Sequence, residues 1–329
     1  MKQKTEHYGV IVPMITPVTA AGGLDEGAVD RLVDFLIAGG VDGIFVMGTT
    51  GESASLPHPL RRSLVERTVA RVRGQAKVYA GLGDLYPKDV ASGNDYLQAG
   101  AQAVVARPPV SFPIEKLLPW FQSLLAEVDG PLMLYNIPST TNVSIPLEVV
   151  SELVGHPKLL GIKDSENSLK RLEETLKRFG GKPDFAIFVG VGALMARGLR
   201  LGASGVVPST ANLIPEVCRN LCLCAERGDW AGVERHANRM NEVTALYQQG
   251  RSLGESLAVL KGALSIRGLC ESYTLPPLRG LEAKAMEILR QQMGKLGLLN
   301  GAGTEAPGSR SPKEARSTTA RTLASGGSP

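Results

Sequence analysis

Leu159-Leu160-Gly161-Ile162-Lys163-Asp164-Ser165 runs straight from apolar residues into charge, and a pattern of helical spacing, Leu169–Phe179, follows within a few residues. A short run that is almost wholly apolar reads as a strand of a parallel sheet covered on both faces, since alternation shows only where one face meets water. Strand, turn and helix in that order make one βα unit. The same unit recurs along the chain. Strand candidates lie at Gly9–Pro13, Gly43–Met47, Lys77–Ala80, Ala103–Ala106, Leu132–Tyr135, Leu159–Lys163, Ala186–Val189 and Gly205–Val207. Helical patterns fill the gaps at Glu26–Ala38, Pro59–Arg73, Lys88–Ala99, Ile114–Glu127, Pro146–Val154, Leu169–Phe179 and Ala193–Leu201. In the first of these Val29, Leu32, Val33, Leu36 and Ile37 recur at helical spacing behind Asp25, and Gly39-Gly40 ends the helix.

Eight strands separated by helices within roughly 210 residues predict an α/β fold of the (β/α)8 TIM barrel type. A doubly wound open sheet is the competing architecture. It would place a G-x-G-x-x-G turn after an early strand, and Gly48-Thr49-Thr50-Gly51-Glu52 lacks that spacing. After Val207 the strand signals stop, and Pro215–Arg227, Trp230–Gln248, Ser252–Arg267 and Gly280–Met293 read as helix. The expected organisation is a barrel domain over residues 1–212, a C-terminal helical region over 213–300 and a tail over 301–329. Rich in Gly, Ser, Thr, Ala and Pro and free of aromatic residues, the tail buries too little apolar surface to offset its ordering entropy, so it reads as disordered.

The 329 residues are 43% hydrophobic and 21% charged, the balance of an ordinary globular protein. Of the net charge of +4, the tail carries half, through Arg310, Lys313, Arg316 and Arg321 against Glu305 and Glu314. These charges are spread out and the remainder is nearly neutral, so neither nucleic acid nor a membrane surface is an expected partner. No apolar run approaches the length of a bilayer span. Met1–His7 has charge without an apolar stretch behind it, and the expected compartment is the cytoplasm. Cys218, Cys222, Cys224 and Cys270 fall in helical stretches without a zinc pattern, and are expected to be reduced, small apolar residues.

In such a barrel, chemistry belongs to the C-terminal ends of the strands and the loops beyond them. Three of those ends carry residues that packing does not require: Gly48-Thr49-Thr50-Gly51-Glu52-Ser53, Tyr135-Asn136-Ile137-Pro138 and Gly161-Ile162-Lys163-Asp164-Ser165. Lys163 closes an apolar strand and is expected to face the barrel mouth. Desolvation favours a neutral amine, whose lone pair attacks a ketone. An exposed lysine paired with Asp164 is the plain alternative. Tyr135, on the adjacent strand, has a phenol that can pass one proton. Thr49 and Thr50 lie beside glycines that let backbone N–H groups approach a small anion. Asp84 and Arg107 face the same end, and Arg107 is the better placed to bind a distal carboxylate or hydroxyl. Glu52 reads as a capping and packing residue, and Lys261 and Arg279 as salt-bridge or interface residues.

At these positions the sequence resembles the dihydrodipicolinate synthase / N-acetylneuraminate lyase family of class I Schiff-base lyases, over roughly Tyr8 to Gly280. The resemblance rests on Thr16-Pro17, the Gly48–Ser53 stretch, Tyr135-Asn136-Ile137-Pro138, Gly161-Ile162-Lys163-Asp164 and Gly205-Val206-Val207-Pro208-Ser209. It implies a TIM barrel with a helical C-terminal region, assembled as a homotetramer or homodimer. Lys163 would form an imine with a 2-oxo acid such as pyruvate, and Tyr135 would shuttle protons. Thr49, Thr50 and the Gly48 turn would bind the carboxylate beside the ketone, with Thr50 relaying protons to Tyr135. Val207 would offer its carbonyl near the imine, and Gly190 would leave room for the bound acid. The imine is itself the electron sink, so neither a metal nor another cofactor is expected.

Two departures direct the choice of substrate. The family's dihydrodipicolinate synthases complete a proton relay with a Tyr in the loop after the fourth strand, where this chain has Val110 or Ser111. They also carry an Arg shortly after the Tyr-Asn-x-Pro motif, where this chain has Thr140. The missing cation would have gripped a carboxylated partner through a bidentate contact. Sialic acid lyases hold the sugar with acidic residues where this chain has Gly190-Val191-Gly192-Ala193. The expected substrate is therefore a 2-keto-3-deoxy sugar acid or a 4-hydroxy-2-oxo acid, cleaved or dehydrated. A dihydrodipicolinate synthase with an altered relay is the nearest alternative, and a non-catalytic barrel that binds a 2-oxo acid is the alternative of another class.

Overall fold

The computed structural model describes residues 7–82 and 87–299; of residues 87–90 it describes the backbone alone. Asp84 and the 301–329 tail lie outside the described residues. Eight parallel strands close into a barrel in sequence order: β1 (Gly9–Pro13), β2 (Gly43–Val46), β3 (Lys77–Gly81), β4 (Ala103–Ala106), β5 (Leu132–Asn136), β6 (Leu159–Asp164), β7 (Ala186–Val189) and β8 (Gly205–Val206). The TIM barrel expected from the sequence is the fold. Strand β2 stops one residue early because Met47 turns to a left-handed φ of 57°. Strands β5 and β6 run one residue further than their apolar stretches, because Asn136 and Asp164 continue the ladder as a register pair.

Side chains divide between two cores. The larger lies between strands and helices; the smaller fills the barrel interior with Ile11, Phe45, Tyr79, Met133, Tyr135 and Phe188 among others. Tyr79 fills space that β2 leaves open, since a Cβ on Gly43 would stand 2.9 Å from its ring. The seam between β8 and β1 is made by two glycines in register, Gly9 and Gly205. A Cβ on Gly205 would lie 2.0 Å from the Gly9 carbonyl oxygen, a distance no real contact shows, so glycine lets the strands close. Asp42 ties this end together, accepting the Val10 N–H at 2.8 Å and pairing with Arg219 at 2.9 Å.

The late helices Pro215–Glu226, Trp230–Gln248, Leu253–Ile266 and Ala283–Lys295 form one compact unit with the barrel. Ser209 and Thr210, just past β8, share a hydroxyl cluster with Tyr247 of the second of these, at 2.7 and 3.1 Å. Leu253–Ile266 opens with a capping box between Ser252 and Glu255, then buries nine consecutive residues from Ser256 to Leu264. Lys261 is among them. Among the described residues no helix is long and apolar enough to cross a membrane.

Candidate active site

Strand register sets the centre of the site. Lys163 pairs with Tyr135 on one side and with Phe188 on the other, at the C-terminal end of the barrel. Lys163 is 5% exposed, and its Nζ lies 4.0 Å from the Tyr135 ring centroid and 4.9 Å from that of Phe45. Such ring faces attract a cation without supplying a proton acceptor. Among the described residues no carboxylate lies within ion-pair distance of Lys163.

The expected alternative partner, Asp164, points the other way, as strand alternation requires. Its Oδ2 accepts from Arg171 Nε at 2.7 Å, and its Oδ1 accepts from Asn136 Nδ2 at 3.0 Å and from the Glu166 N–H at 2.9 Å. Glu166 Oε2 accepts from Ser144 Oγ at 2.6 Å and from Asn136 Nδ2 at 3.1 Å. Asn136 Oδ1 in turn accepts the Ile145 N–H at 3.0 Å. The residue after Tyr135 and the residue after Lys163 are thus fastened to each other and to the loops outside them.

Tyr135 is 4% exposed, packs edge-on against Phe45, and its hydroxyl lies 3.4 Å from Thr49 Oγ1. Burial alone would push the phenol up. The Lys163 ammonium, with the hydroxyls of Thr49 and Ser165, outweighs it and holds the phenol below its ordinary range. The hydroxyl brought to Tyr135 is therefore that of Thr49, and the relay assigned to Thr50 needs correcting: among the described residues Thr50 makes no such contact. The reason is the tight turn, in which the Gly51 and Ser53 N–H groups both donate to the Gly48 carbonyl and the Glu52 N–H donates to Thr49. Gly48 is glycine because a Cβ would stand 2.7 Å from the Phe45 ring. Thr16, part of the motif without an assigned role, donates its hydroxyl to the Gly51 carbonyl at 2.7 Å.

Gly190 proves to make room for a neighbour. A Cβ there would lie 2.0 Å from Ser165 Oγ, while the Gly190 N–H donates to the Asp164 carbonyl at 2.7 Å. Ser165 is the site residue that the sequence reading missed. Its position two beyond Lys163 was the available signal, since alternate residues of an extended chain share a face. Val207 follows β8 at the same end, 3% exposed, with its side chain in the interior cluster. Arg107 follows β4 and lines one narrow cleft with Phe45, Gly48, Thr49 and Tyr135. Larger cavities of about 510 and 700 Å³ open at the opposite end, around Lys182, Pro183 and Phe185. Size does not decide between the ends; the narrow cleft is lined by the Tyr135 phenol and Thr49, and Lys163 Nζ lies 4.0 Å from the ring centroid of that same tyrosine. Glu52 faces away from the cleft and is ion-paired with Lys261, while Arg279 is exposed. No group of three or more His, Cys, Asp or Glu among the described residues is placed to hold a metal ion.

Residues 6–295 match the family described as the Dihydrodipicolinate synthetase family. A 4-hydroxy-tetrahydrodipicolinate synthase of Pseudomonas aeruginosa is 30% identical over 88% of this chain and 99% of its own length. The solved dihydrodipicolinate synthase of Bacteroides thetaiotaomicron superposes with a TM-score of 0.84 at 31% identity, covering 89% of this chain and 99% of the other. An Escherichia coli prophage protein of the dihydrodipicolinic acid synthase family, solved in complex with pyruvate, superposes with a TM-score of 0.83 at 27% identity, covering 89% and 100%.

Proposed function

This chain belongs to the Dihydrodipicolinate synthetase family, whose members are lyases of the class I aldolase type, and we propose that Lys163 is its imine-forming residue. The observation that carries the proposal is the placement of Lys163. A strand-end amine is buried between aromatic faces, in register with a phenol, while the one acidic residue beside it in sequence is held by Arg171. In this reading Lys163 first loses its ammonium proton to solvent, and the neutral Nζ attacks C2 of a 2-oxo acid. Tyr135 donates a proton to the departing hydroxyl, and water leaves, giving a protonated imine and a Tyr135 phenolate. The substrate carboxylate rests on the Thr49–Thr50 turn, and Val207 lies near the imine. For aldol cleavage Tyr135, as phenolate, takes the proton of the C4 hydroxyl as the C3–C4 bond breaks, and the electron pair enters the enamine. Hydrolysis of that enamine releases pyruvate, and dehydration would draw on the same sink. The imine replaces any metal or separate cofactor.

The substrate we favour is a 2-keto-3-deoxy sugar acid or a 4-hydroxy-2-oxo acid, with Ser165 and Arg107 reaching its distal hydroxyls or carboxylate. Val110 and Ser111 are exposed, and Ser139–Asn142 is wound into a short turn whose Thr140 and Thr141 hydroxyls donate to the Ile137 carbonyl. Neither stretch offers the phenol or the cation of the synthases. The names of the relatives favour a second reading, synthesis of 4-hydroxy-tetrahydrodipicolinate with an altered relay. A cytoplasmic homotetramer or homodimer with no macromolecular partner completes the proposal. Borohydride reduction with pyruvate, followed by intact mass, is the test: an adduct on Lys163, lost in Lys163→Ala, is expected, and its absence overturns the mechanism and leaves a non-catalytic barrel. Robust turnover of pyruvate with aspartate semialdehyde would select the second reading over the first.

A further inference from the structure

Among the described residues, the charged pair most shielded from water plays no part in the chemistry just described. Glu52 and Lys261 are ion-paired with side-chain exposures of 0% and 1%. Lys261 Nζ also donates to the Tyr273 carbonyl at 2.8 Å, and Glu52 Oε2 accepts the Leu275 N–H at 2.8 Å. Three distant segments meet here: the turn after β2, the helix Leu253–Ile266 and the loop that follows it. A dry ion pair is a poor device for stability, because desolvation cancels most of the attraction and apolar residues of the same size do as well or better. What it supplies is a single allowed geometry.

That geometry bears on the reacting groups. Glu52 is held at a φ of 57°, a left-handed conformation that a non-glycine residue keeps only where its surroundings impose it. The Glu52 N–H donates to the carbonyl of Thr49, the residue whose hydroxyl lies 3.4 Å from the Tyr135 hydroxyl. Thr16 holds the Gly51 carbonyl from the other side. The turn is therefore clamped at its far end by the C-terminal region and at its middle by the loop after β1. We infer that Glu52 and Lys261 are a positioning pair that sets Thr49 against Tyr135 and holds the turn that carries Thr50, so that the helical region shapes the carboxylate-binding turn without touching substrate.

The inference rests on the reading of Lys163 as the imine-forming residue, and its test separates the two. Pyruvate is the probe, and the readout is the pyruvate concentration that half-saturates borohydride trapping, with melting temperature measured alongside. Wild-type protein that traps no adduct sinks the reading of Lys163 itself. With wild-type trapping in place, the neutral double variant E52Q/K261M is expected to fold and form adduct, with half-saturation raised about tenfold. Thr49→Val is expected to raise half-saturation in the wild-type background and to add little in the double variant, since the turn is already loose. A folded double variant with wild-type saturation, or strictly additive effects of the Thr49 substitution, overturns the pair. Glu52→Asp keeps the buried charge and shortens its reach by one methylene. In folded Glu52→Asp, raised half-saturation supports the pair and unchanged half-saturation overturns it, whatever becomes of the double variant.

Discussion

Two buried tyrosines enter the barrel interior, and their hydroxyls meet different company. Tyr79, from β3, reaches toward the N-terminal end, where its hydroxyl lies 2.7 Å from His7 Nδ1. Tyr135, from β5, reaches the C-terminal end, where its hydroxyl has the Lys163 ammonium and two side-chain hydroxyls around it. Around Tyr79 polar groups are matched pair by pair, as Asp42 is with Val10 and Arg219. Around Tyr135 there is a positive charge with no counter-ion among the described residues. Matched groups stabilise; an unmatched amine beside a phenol is available to a substrate. One barrel thus holds matched polar groups at one end and, at the other, the amine and phenol of the proposed site.

The largest effects should come from breaking the unmatched end. Lys163→Ala is expected to lose adduct entirely while melting at or above the wild-type temperature, and Tyr135→Phe to lower turnover by roughly 10²–10⁴-fold. Tyr79→Phe should leave trapping intact and cost about 1 kcal/mol in denaturant unfolding. Loss of activity in Tyr79→Phe comparable to that in Tyr135→Phe would dissolve the contrast. Next in size is Arg171→Met, which strands the buried Asp164 carboxylate and should cost about 3–5 kcal/mol in the same unfolding experiment. Gly190→Ala sharpens the comparison inside the site. It should displace Ser165 and lower turnover, and adding Ser165→Ala should recover the lost melting temperature though not the lost rate.

A smaller effect tests the electrostatics. The Lys163 cation favours the Tyr135 phenolate, and burial opposes it. Removing the cation in Lys163→Met leaves burial in command, so the tyrosinate absorbance of Tyr135 should appear at higher pH than in wild type. A titration that stays put or moves down would show that Lys163 does not govern the phenol. The smallest effect concerns Cys270, whose thiol burial pushes up to about 12. It should resist alkylation in the native protein and react only on unfolding.

All eight strands were legible because each is a short apolar run bracketed by turn residues and followed by a helical pattern; Leu159–Asp164 and Leu169–Phe179 show both parts. The short turn Pro138–Thr141 was not, being a single turn without room for periodicity. Lys163 and Tyr135 stood out because polar residues closed apolar strands. Which threonine faces Tyr135 depends on the hydrogen bonds inside the Gly48–Ser53 turn, and no periodicity encodes them. The capture of Asp164 by Arg171 and the meeting of Glu52 with Lys261 depend on how separate elements pack, information that local pattern does not carry.

The ion pair between Glu52 and Lys261 also imposes an order on the birth of the molecule. Leu275, which completes the anchor of Glu52, lies 223 residues further along the chain. A growing chain can form local βα units early, yet contacts of such long range come late, after the intervening loops have closed. The seam between Gly9 and Gly205 can zip before Lys261 has left the ribosome. A product that ends between those points would have its eight strands and Lys163, with the Thr49–Glu52 turn lacking its Lys261 and Leu275 anchors. The anchor of the Thr49–Glu52 turn is thereby delivered only after residues 253–275 have been made, well behind the eight strands that it serves.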